Sequence, residues 1–310
     1  MLVEYALIPN IFAQDCYSSP DLCEARLQIL KPILMEEALV RDLHGGEWWN
    51  YLKNWMSSPP EQCHPKAKEL LKKIQQKKRI RKVAFCGPNK PDCHAAWFDE
   101  ALASHNWEEL TAIVALREIA QQHEDKKGFV TSIDKLNDFQ RRGSSIELLK
   151  QSSSYLKHLR LLLSHANSIL FIDPYLDPTQ PRYQEFHFLL ECAKRRDISP
   201  LIEFHVAAKG YDSAGNDRSR FSQSDWKSRF SRLNSTLNES GLEAEVFVWE
   251  YFHDRYIISD LLGISLSSGL DVVNGPTTWS RLPSKLRDKI QGDFTQNSTT
   301  YNLKYQFELP

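Results

Sequence analysis

The sequence lacks the features that mark several classes of protein. Its six cysteines, spread over 310 residues, are too sparse for a disulfide scaffold. No apolar run is long enough to span a membrane, and the first residues have neither the basic start nor the apolar length of a signal peptide. We therefore expect reduced thiols, no membrane span and a cytoplasmic location.

Excess charge and glycine-rich loops are missing as well. The formal net charge is −1 at pH 7, which excludes a protein that coats nucleic acid through bulk positive charge, so phosphate binding must be local. The sequence contains no P-loop, no G-x-G-x-x-G pattern and no nucleophile elbow. What remains is a globular composition, with 41% hydrophobic and 25% charged residues.

The length and one polar stretch predict two domains. A chain of 310 residues favours about two domains of usual size. The stretch DKLNDFQRRGSS, residues 134–145, is suited to a boundary between them. We predict a helix-rich α/β domain of unknown role over residues 1–140 and a second α/β domain over residues 141–310.

Long helices are predicted over residues 18–43 and 101–123 of the first domain, with a kink or break at Pro32. Another is predicted over residues 144–167, with Ser144 or Ser145 as its N-cap.

Helices and strands are expected to alternate in the rest of the second domain. After residues 144–167, the apolar stretches SILFIDPYL, SPLIEFHVAA and EAEVFVWEYF are separated by helical ones. This order is typical of βαβ units. It predicts a largely parallel sheet with helices on both faces and with ligands at the carboxyl ends of its strands.

The stretch YFHDRYIISD, Tyr251–Asp260, has the strongest signal for chemistry. If it is a strand, His253 and Arg255 point to the same side, about 6.6 Å apart along the backbone. Such a pair at the end of a strand supplies a nucleophile or general base and a fixed cation for a phosphate. Asp260 could orient the imidazole of its own chain or of a second copy.

This spacing resembles the signature of the phospholipase D superfamily, His-x-Lys followed by four residues and Asp, with Arg255 at the lysine position. The resemblance covers residues 145–310 and implies a phospholipase D-like α/β/α sandwich with a mixed, largely parallel sheet. It also implies that His253 attacks phosphorus to form a phosphohistidine, that Arg255 holds the nonbridging oxygens, and that Asp260 orients the histidine. Neither a metal nor a cofactor is expected.

A second element of that superfamily, Gly-Ser-x-Asn, is partly present. LSSGLD, residues 266–271, has Ser268 as a further hydrogen-bond donor and Leu270 where the asparagine belongs. The mechanism needs two histidines at one phosphorus, and no second motif occurs, so the resemblance implies a homodimer. The pattern is similar to a divergent bacterial branch found in mobile or defence-associated loci, and to the membrane-binding C-terminal domain of MIT-domain proteins.

Four residues of the second domain are candidates for holding the substrate. Asp173 and Tyr175 end its first strand, and His205 and Lys209 lie in and after its second strand. All four would face the groove at the carboxyl ends of the strands. His205 also fits an ordinary sheet histidine with a satisfied hydrogen bond.

A basic run in the first domain is a candidate for contacts to a phosphate backbone. Seven cations occur in the eleven residues from Lys72 to Lys82, and Lys77, Lys78 and Arg79 lie near its centre. The alternative interpretation is a solvated helix face, since runs of charge usually face water.

Other constellations in the first domain are weaker. Five possible zinc ligands occur there, namely Cys63, His64, Cys86, Cys93 and His94. Their irregular spacing does not indicate a tetrahedral site. Glu36, Glu37 and Asp42 would suit a metal-dependent nuclease, but helical surface charge explains them more simply.

Three functions remain open from the sequence. The first is a metal-independent nuclease of a bacterial defence or mobile-element system, whose partner is DNA or RNA. The second is a module that binds phosphate or nucleic acid without cleaving it. The third is a scaffold subunit of a larger complex, with the groove as an interaction surface.

Overall fold

The computed structural model of the protein describes residues 1–57, 62–139, 144–195, 198–212 and 214–310. The chain divides into two compact units, Leu2–Arg142 and Gly143–Pro310. The boundary predicted between residues 140 and 141 lies outside the described residues. Within the described ranges, no helix has both the length and the apolar character that a membrane crossing requires.

A parallel sheet forms the centre of the N-terminal unit. Its strands are β1 (Val3–Leu7), β2 (Ala38–Asp42), β3 (Ile80–Lys82), β4 (Ala112–Ala115) and β5 (Val130–Ser132). Its helices are α1 (Pro20–Pro32), α2 (Leu43–Ser57), α3 (Pro65–Gln76), α4 (His94–Trp107), α5 (Arg117–Gln122) and α6 (Leu136–Phe139). The strand order is β3-β2-β1-β4-β5, and each of these neighbours pairs in parallel. The predicted α/β class is confirmed.

Two strands of this sheet lie in segments predicted as helices. Helix α1 ends at Pro32, one π-helical turn follows over Ile33–Glu37, and β2 then enters the sheet. Every residue of β2 and of β4 is buried. The predicted helices over 18–43 and 101–123 are therefore wrong in these parts. A strand covered on both faces has an apolar run without alternation, which sequence periodicity does not distinguish from a buried helix.

A buried ion network links β1, β2 and β3. Arg41 Nη2 lies 2.7 Å from Glu4 Oε2, and Arg81 Nη1 lies 2.8 Å from the same oxygen. Arg41 Nη1 also donates to the carbonyl oxygens of Ser104 at 2.9 Å and Glu108 at 2.7 Å. The network therefore joins strands far apart in sequence and leaves few donors of Arg41 without an acceptor.

A mixed sheet forms the centre of the C-terminal unit. Its strands are β6 (Ser145–Leu149), β7 (Ser168–Ile172), β8 (Leu201–Ala207), β9 (Ala244–Trp249), β10 (Tyr256–Ser259), β11 (Gly263–Leu266), β12 (Pro276–Leu282) and β13 (Leu303–Leu309). Its helices are α7 (Ser152–His165), α8 (His187–Ala193), α9 (Gln223–Phe230), α10 (Asn234–Ser240) and α11 (Ser284–Asp293). The strand order is β13-β9-β8-β7-β10-β11-β12-β6.

The pairing in this sheet is less parallel than expected. Only β7 with β8 and β8 with β9 pair in parallel among the described strands, and the other neighbours are antiparallel. The helix predicted over 144–167 is also wrong in its first part. Ser145–Leu149 forms β6, which pairs with β12, and α7 begins at Ser152.

Both faces of this sheet are covered. Along β7, Leu170 and Ile172 belong to one buried cluster together with Ile290 of α11. Phe171 points to the opposite face, where its ring lies 5.1 Å from that of Phe186, just before α8. The predicted placement of helices on both faces is therefore confirmed.

Candidate functional site

Residues 250–255 connect β9 to β10 and hold the motif predicted to lie on a strand. Since β8 and β7 lie between these two strands, the segment crosses the carboxyl ends of both. His253 and Arg255 are therefore in a loop, and β10 begins only at Tyr256. The amide of Leu266 donates to the carbonyl oxygen of Arg255 at 3.0 Å, which fixes the end of the segment.

Three predicted site residues meet at this edge. The rings of Tyr175 and His253 are 6.4 Å apart and nearly perpendicular, at 87°. The Arg255 guanidinium carbon lies 5.2 Å from the centroid of the Tyr175 ring. The neighbouring Phe252 is buried, at 2% exposure, and belongs to the core cluster of the unit, whereas His253 is exposed. The segment is thus anchored by Phe252 and presents His253 to solvent.

The Arg255 guanidinium has hydrogen-bond donors that the described residues do not use. In the parts of the chain that the structure describes, no carboxylate lies within ion-pair distance of it. Its Nη1 makes one long bond, 3.4 Å, to the carbonyl oxygen of His253, and its buried Nε has no acceptor among the described residues. An anion at this position would therefore meet unused donors beside an imidazole.

Lys209 and two tyrosines extend this edge. Lys209 is exposed just after β8, and its Nζ lies 4.7 Å from the centroid of the Tyr251 ring. Tyr251 is 54% exposed and Tyr211, two residues after Lys209, is 70% exposed. Lys209 therefore lies just past the carboxyl end of β8, the third strand of the unit.

Ser268 lies near the same edge, just after β11. Its hydroxyl donates to Thr277 Oγ1 at 2.9 Å, and the residue is half-buried. Leu270, at the position expected for asparagine, is buried at 1% exposure. The LSSGLD segment therefore supplies a hydroxyl near the site, while Leu270 packs in the core.

Asp173 was predicted to contact substrate, but it lies inside the protein. Its side chain has no exposed surface and accepts hydrogen bonds from the amides of Tyr175 and Leu270, each at 3.0 Å, and from the Tyr183 hydroxyl at 2.9 Å. A methyl group on Gly269 would lie 2.5 Å from the Asp173 carboxylate, so only glycine allows this approach. Asp173 therefore fastens the loop after β11 to the end of β7.

Asp260 lies at the opposite edge of the sheet from His253. It follows β10, whose last residue, Ser259, pairs with Ile169 near the start of β7. Its carboxylate accepts from the Asn167 amide at 2.8 Å and from Asn167 Nδ2 at 2.7 Å. Within one chain, the expectation that Asp260 orients the His253 imidazole is therefore wrong, because the whole of β10 separates them.

His205 was predicted to contact substrate but is fully buried in β8. Trp249 Nε1 donates to its Nδ1 at 3.1 Å, so the proton of the neutral ring is on Nε2, which donates to Glu203 at 3.0 Å. Burial lowers the pKa of His205, against the opposing effect of Glu203. The ring also stacks on Phe247 at 4.8 Å, so the substrate role is wrong and His205 is a core residue.

The basic run belongs to the N-terminal unit and divides into two kinds of residue. Lys77 and Lys78 are exposed in the turn between α3 and β3. Arg79 is buried at 2% exposure, and its Nη1 donates to the carbonyl oxygen of Ala38 at 3.2 Å. A phosphate contact by Arg79 is therefore wrong, because its guanidinium is used inside the protein.

The alternative metal sites receive no support. No cluster of three or more His, Cys, Asp or Glu side chains suited to a metal occurs in the described portions of the chain. Cys63 is fully buried, whereas Cys86 and Cys93 are exposed. Asp42 accepts from the amide of Trp49 at 2.9 Å, and burial raises its pKa.

One charged cluster at this end of the sheet had no signal in the sequence. Arg229 bridges Asp177 at 2.6 Å and Asp212 at 2.8 Å. Burial opposes ionisation of Asp212, but hydrogen bonds from Asn216 and Arg229 outweigh it and lower the pKa to about 2. Arg229 lies 52 positions from Asp177 and 17 from Asp212 in the sequence, so no local sequence pattern predicts this cluster.

A buried arginine near this cluster was also missed. Arg218 has no exposed surface, and its guanidinium carbon lies 4.8 Å from the centroid of the Trp226 ring. None of its side-chain nitrogens has a hydrogen-bond acceptor among the described residues. Burial lowers its pKa, and the charge of Asp177 opposes that effect.

Comparisons with known proteins give limited likenesses. No model of a known protein family matches the chain, and no curated protein sequence does. Among solved structures, one similar chain is TrmBL2, an archaeal chromatin protein whose structure shows a novel mode of DNA binding. Identity is 11% and the TM-score 0.28, over 77% of this chain and 83% of that chain.

Two enzymes are also similar. Phosphatidylserine synthase of Haemophilus influenzae Rd KW20 has 16% identity and a TM-score of 0.31, over 52% of this chain and 39% of its own. Polyphosphate kinase of Porphyromonas gingivalis has 11% identity and a TM-score of 0.31, over 76% of this chain and 36% of its own.

Proposed function

We propose that the C-terminal unit acts on phosphodiesters of nucleic acid as a metal-independent nuclease. His253 is the nucleophile and Arg255 binds the nonbridging phosphate oxygens. The Ser268 hydroxyl becomes a further donor at the same edge by turning from Thr277 Oγ1 to the phosphate. Asp260 has no part in this reaction within one chain. The site is completed by a second copy, which provides the second imidazole.

The reaction balances with these groups alone. An imidazole nitrogen of His253 attacks phosphorus, the bond from phosphorus to the leaving oxygen breaks, and the imidazole of the second copy gives that oxygen its proton. Water then attacks the phosphohistidine and passes a proton to the second imidazole, which restores both histidines. Arg255 stabilises the negative charge on the nonbridging oxygens throughout.

One observation supports the proposal most. An exposed histidine lies beside an arginine that has no carboxylate partner among the described residues, at the carboxyl edge of a sheet. Arg218 of the same unit also lacks acceptors among the described residues, but it has no exposed surface, whereas Arg255 is only half-buried and can be reached by a ligand. Free donors next to an imidazole fit a site that receives an anionic ester.

The test is hydrolysis of bis(p-nitrophenyl) phosphate and of a labelled oligonucleotide in the presence of EDTA. We expect His253→Ala to lower both rates at least about 100-fold, as is usual for loss of a group that acts in the transition state. His187→Ala, which removes another partly exposed histidine of the same unit, is the matched control. Equal rates in wild type and His253→Ala would overturn the proposal.

The requirement for two copies is tested by mixing. If both imidazoles of a dimer are needed, activity falls with the square of the wild-type fraction when wild type and His253→Ala chains are mixed and allowed to exchange. A linear fall, or a monomer by light scattering under conditions of activity, would contradict the shared site.

A second candidate function is binding without cleavage. The placement of Asp260 favours it, because the carboxylate that would orient His253 is bonded to Asn167 instead. Phosphodiester binding that survives His253→Ala and is lost in Arg255→Ala, with no hydrolysis by wild type, would support this role. A place in a bacterial defence or mobile-element complex rests on the sequence resemblance alone, and isolation of the intact complex from its host tests it.

A further inference from the structure

The edge that presents His253 also presents aromatic rings to solvent. Tyr211 is 70% exposed and Tyr251 is 54% exposed, although tyrosine rings usually bury much of their surface. Tyr175 is half-buried, and its ring lies 6.4 Å from that of His253. A methyl group at Gly210, the residue before Tyr211, would lie 3.8 Å from the same Tyr175 ring. Large exposed rings gathered beside a polar site indicate a surface that binds something flat or apolar.

Cations alternate with these rings. Lys209 Nζ lies 4.7 Å from the centroid of the Tyr251 ring, and the Arg255 guanidinium carbon lies 5.2 Å from that of Tyr175. Along the extended segment, Tyr251, His253 and Arg255 are separated by the buried Phe252 and by Asp254. The phosphates of a ligand would therefore meet Lys209 or Arg255, and its planar groups would meet the tyrosine rings between these cations.

The acidic groups of the two loops are engaged elsewhere. Glu250 accepts from Asn302 Nδ2 at 3.1 Å, and Asp254 accepts from the Tyr301 hydroxyl at 3.4 Å. Asp212, next to Tyr211, is paired with Arg229. Asn302 and Tyr301 are neutral donors, so Glu250 and Asp254 keep their negative charges. Lys209 and Arg255 have no carboxylate within ion-pair distance among the described residues, so their charged donors are available to a phosphate.

We propose that this edge binds single-stranded nucleic acid. Unpaired bases stack on Tyr211 and Tyr251, and the phosphates between them lie at Lys209 and Arg255. Alternating rings and cations are the arrangement by which proteins bind single strands, whereas the bases of a duplex are already stacked on each other and cannot reach the rings. This inference rests on the proposed function, and it names the form of nucleic acid that reaches His253.

The test is equilibrium binding of the full chain to a labelled 15-residue oligothymidylate, followed by fluorescence anisotropy. The His253→Ala chain is the parent, so that cleavage does not interfere. We expect Tyr211→Ala and Tyr251→Ala each to weaken binding roughly 5- to 150-fold, the usual range for loss of one stacked base, and the phenylalanine variants to keep it. Phe188→Ala, which removes another exposed ring of the same unit, should leave the affinity unchanged.

Two comparison ligands make the result decisive. A 15-base-pair duplex should bind more weakly and without dependence on the two tyrosines. Vesicles of phosphatidylglycerol and phosphatidylcholine should not bind in a tyrosine-dependent way. The inference is overturned if the alanine variants bind the oligothymidylate like the parent, if the duplex binds as tightly as the single strand, or if the tyrosines prove necessary for vesicle binding.

This outcome is separable from that of the proposed function. Bis(p-nitrophenyl) phosphate has no bases, so its hydrolysis reports on His253 without involving the stacking surface. Tyrosine-dependent binding of the single strand with no hydrolysis of the small ester would leave the inference standing and remove the catalysis. Hydrolysis of the ester without tyrosine-dependent binding would support the catalysis and overturn the inference about single strands.

Discussion

Arg41 lies in β2 of one central sheet and Arg255 directly before β10 of the other, yet their surroundings are opposite. Arg41 is fully buried and its donors reach Glu4 and two carbonyl oxygens. Arg255 is half-buried, lies over a tyrosine ring and meets no carboxylate among the described residues. Arg41 is thus neutralised inside the fold, whereas Arg255 combines unused donors with a position that a ligand can reach.

The largest expected effect on stability tests the contrast between Arg41 and Arg255. Arg41→Ala leaves Glu4 buried without Arg41, so we expect it to lower the free energy of unfolding by about 3–5 kcal/mol. Arg255→Ala removes no buried partner and should cost about 0.5 kcal/mol or less. Urea unfolding followed by tryptophan fluorescence measures both. Similar costs for the two variants would show that Arg255 is also part of the scaffold.

The buried carboxylate beneath the site provides the next test. Gly269→Ala forces a methyl group against the Asp173 carboxylate, and we expect a loss of about 1–3 kcal/mol in the free energy of unfolding, as for other overpacked cores. Gly292→Ala is the matched control, because a methyl group at this position of α11 meets no atom within 4 Å. A Gly269→Ala protein as stable as the control would mean that the loop after β11 moves freely.

The buried His205 gives stability a pH dependence that an exposed histidine lacks. Its pKa is lowered in the folded state by burial, so below the ordinary value of about 6.5 the unfolded chain binds more protons. Stability is therefore complete above that pH and falls as the pH drops toward the lowered pKa, by at most about 1.4 kcal/mol per pH unit.

The variant His205→Gln isolates this contribution from those of other histidines. Its melting temperature should fall less than that of wild type between pH 7.5 and pH 5.5, since glutamine keeps a polar group at the position but does not titrate. Parallel melting curves for the two proteins would rule out a neutral buried His205.

The smallest expected effect concerns Asp260. Asp260→Asn weakens the two bonds to Asn167 and should lower the free energy of unfolding by about 0.5–1.5 kcal/mol, the usual net worth of one hydrogen bond. Hydrolysis that depends on His253 should not change beyond this loss of stability. A collapse of the hydrolysis rate in a folded Asp260→Asn protein would show that the carboxylate acts on an imidazole after all.

Local patterns in the sequence predicted much of the fold and part of the site. The stretches of β7, β8 and β9 were recognised because each is a short, largely apolar run. His253 and Arg255 were expected on a strand but lie in the loop before β10, close to Tyr175. β2 and β4 were missed because a buried parallel strand has no alternation to reveal it. β6 was missed because its residues continue the helical spacing of α7.

What the sequence by itself determined is the short-range geometry of the site. The apolar Phe252 directly precedes the polar His253 and Asp254, so Phe252 is buried while His253 stays exposed. Only the tertiary structure decided which charges are neutralised. Arg81 meets Glu4 across 77 positions, and Asp260 meets Asn167 across 93. Pairing and burial depend on residues far away along the chain, which strand order brings together and local spacing does not encode.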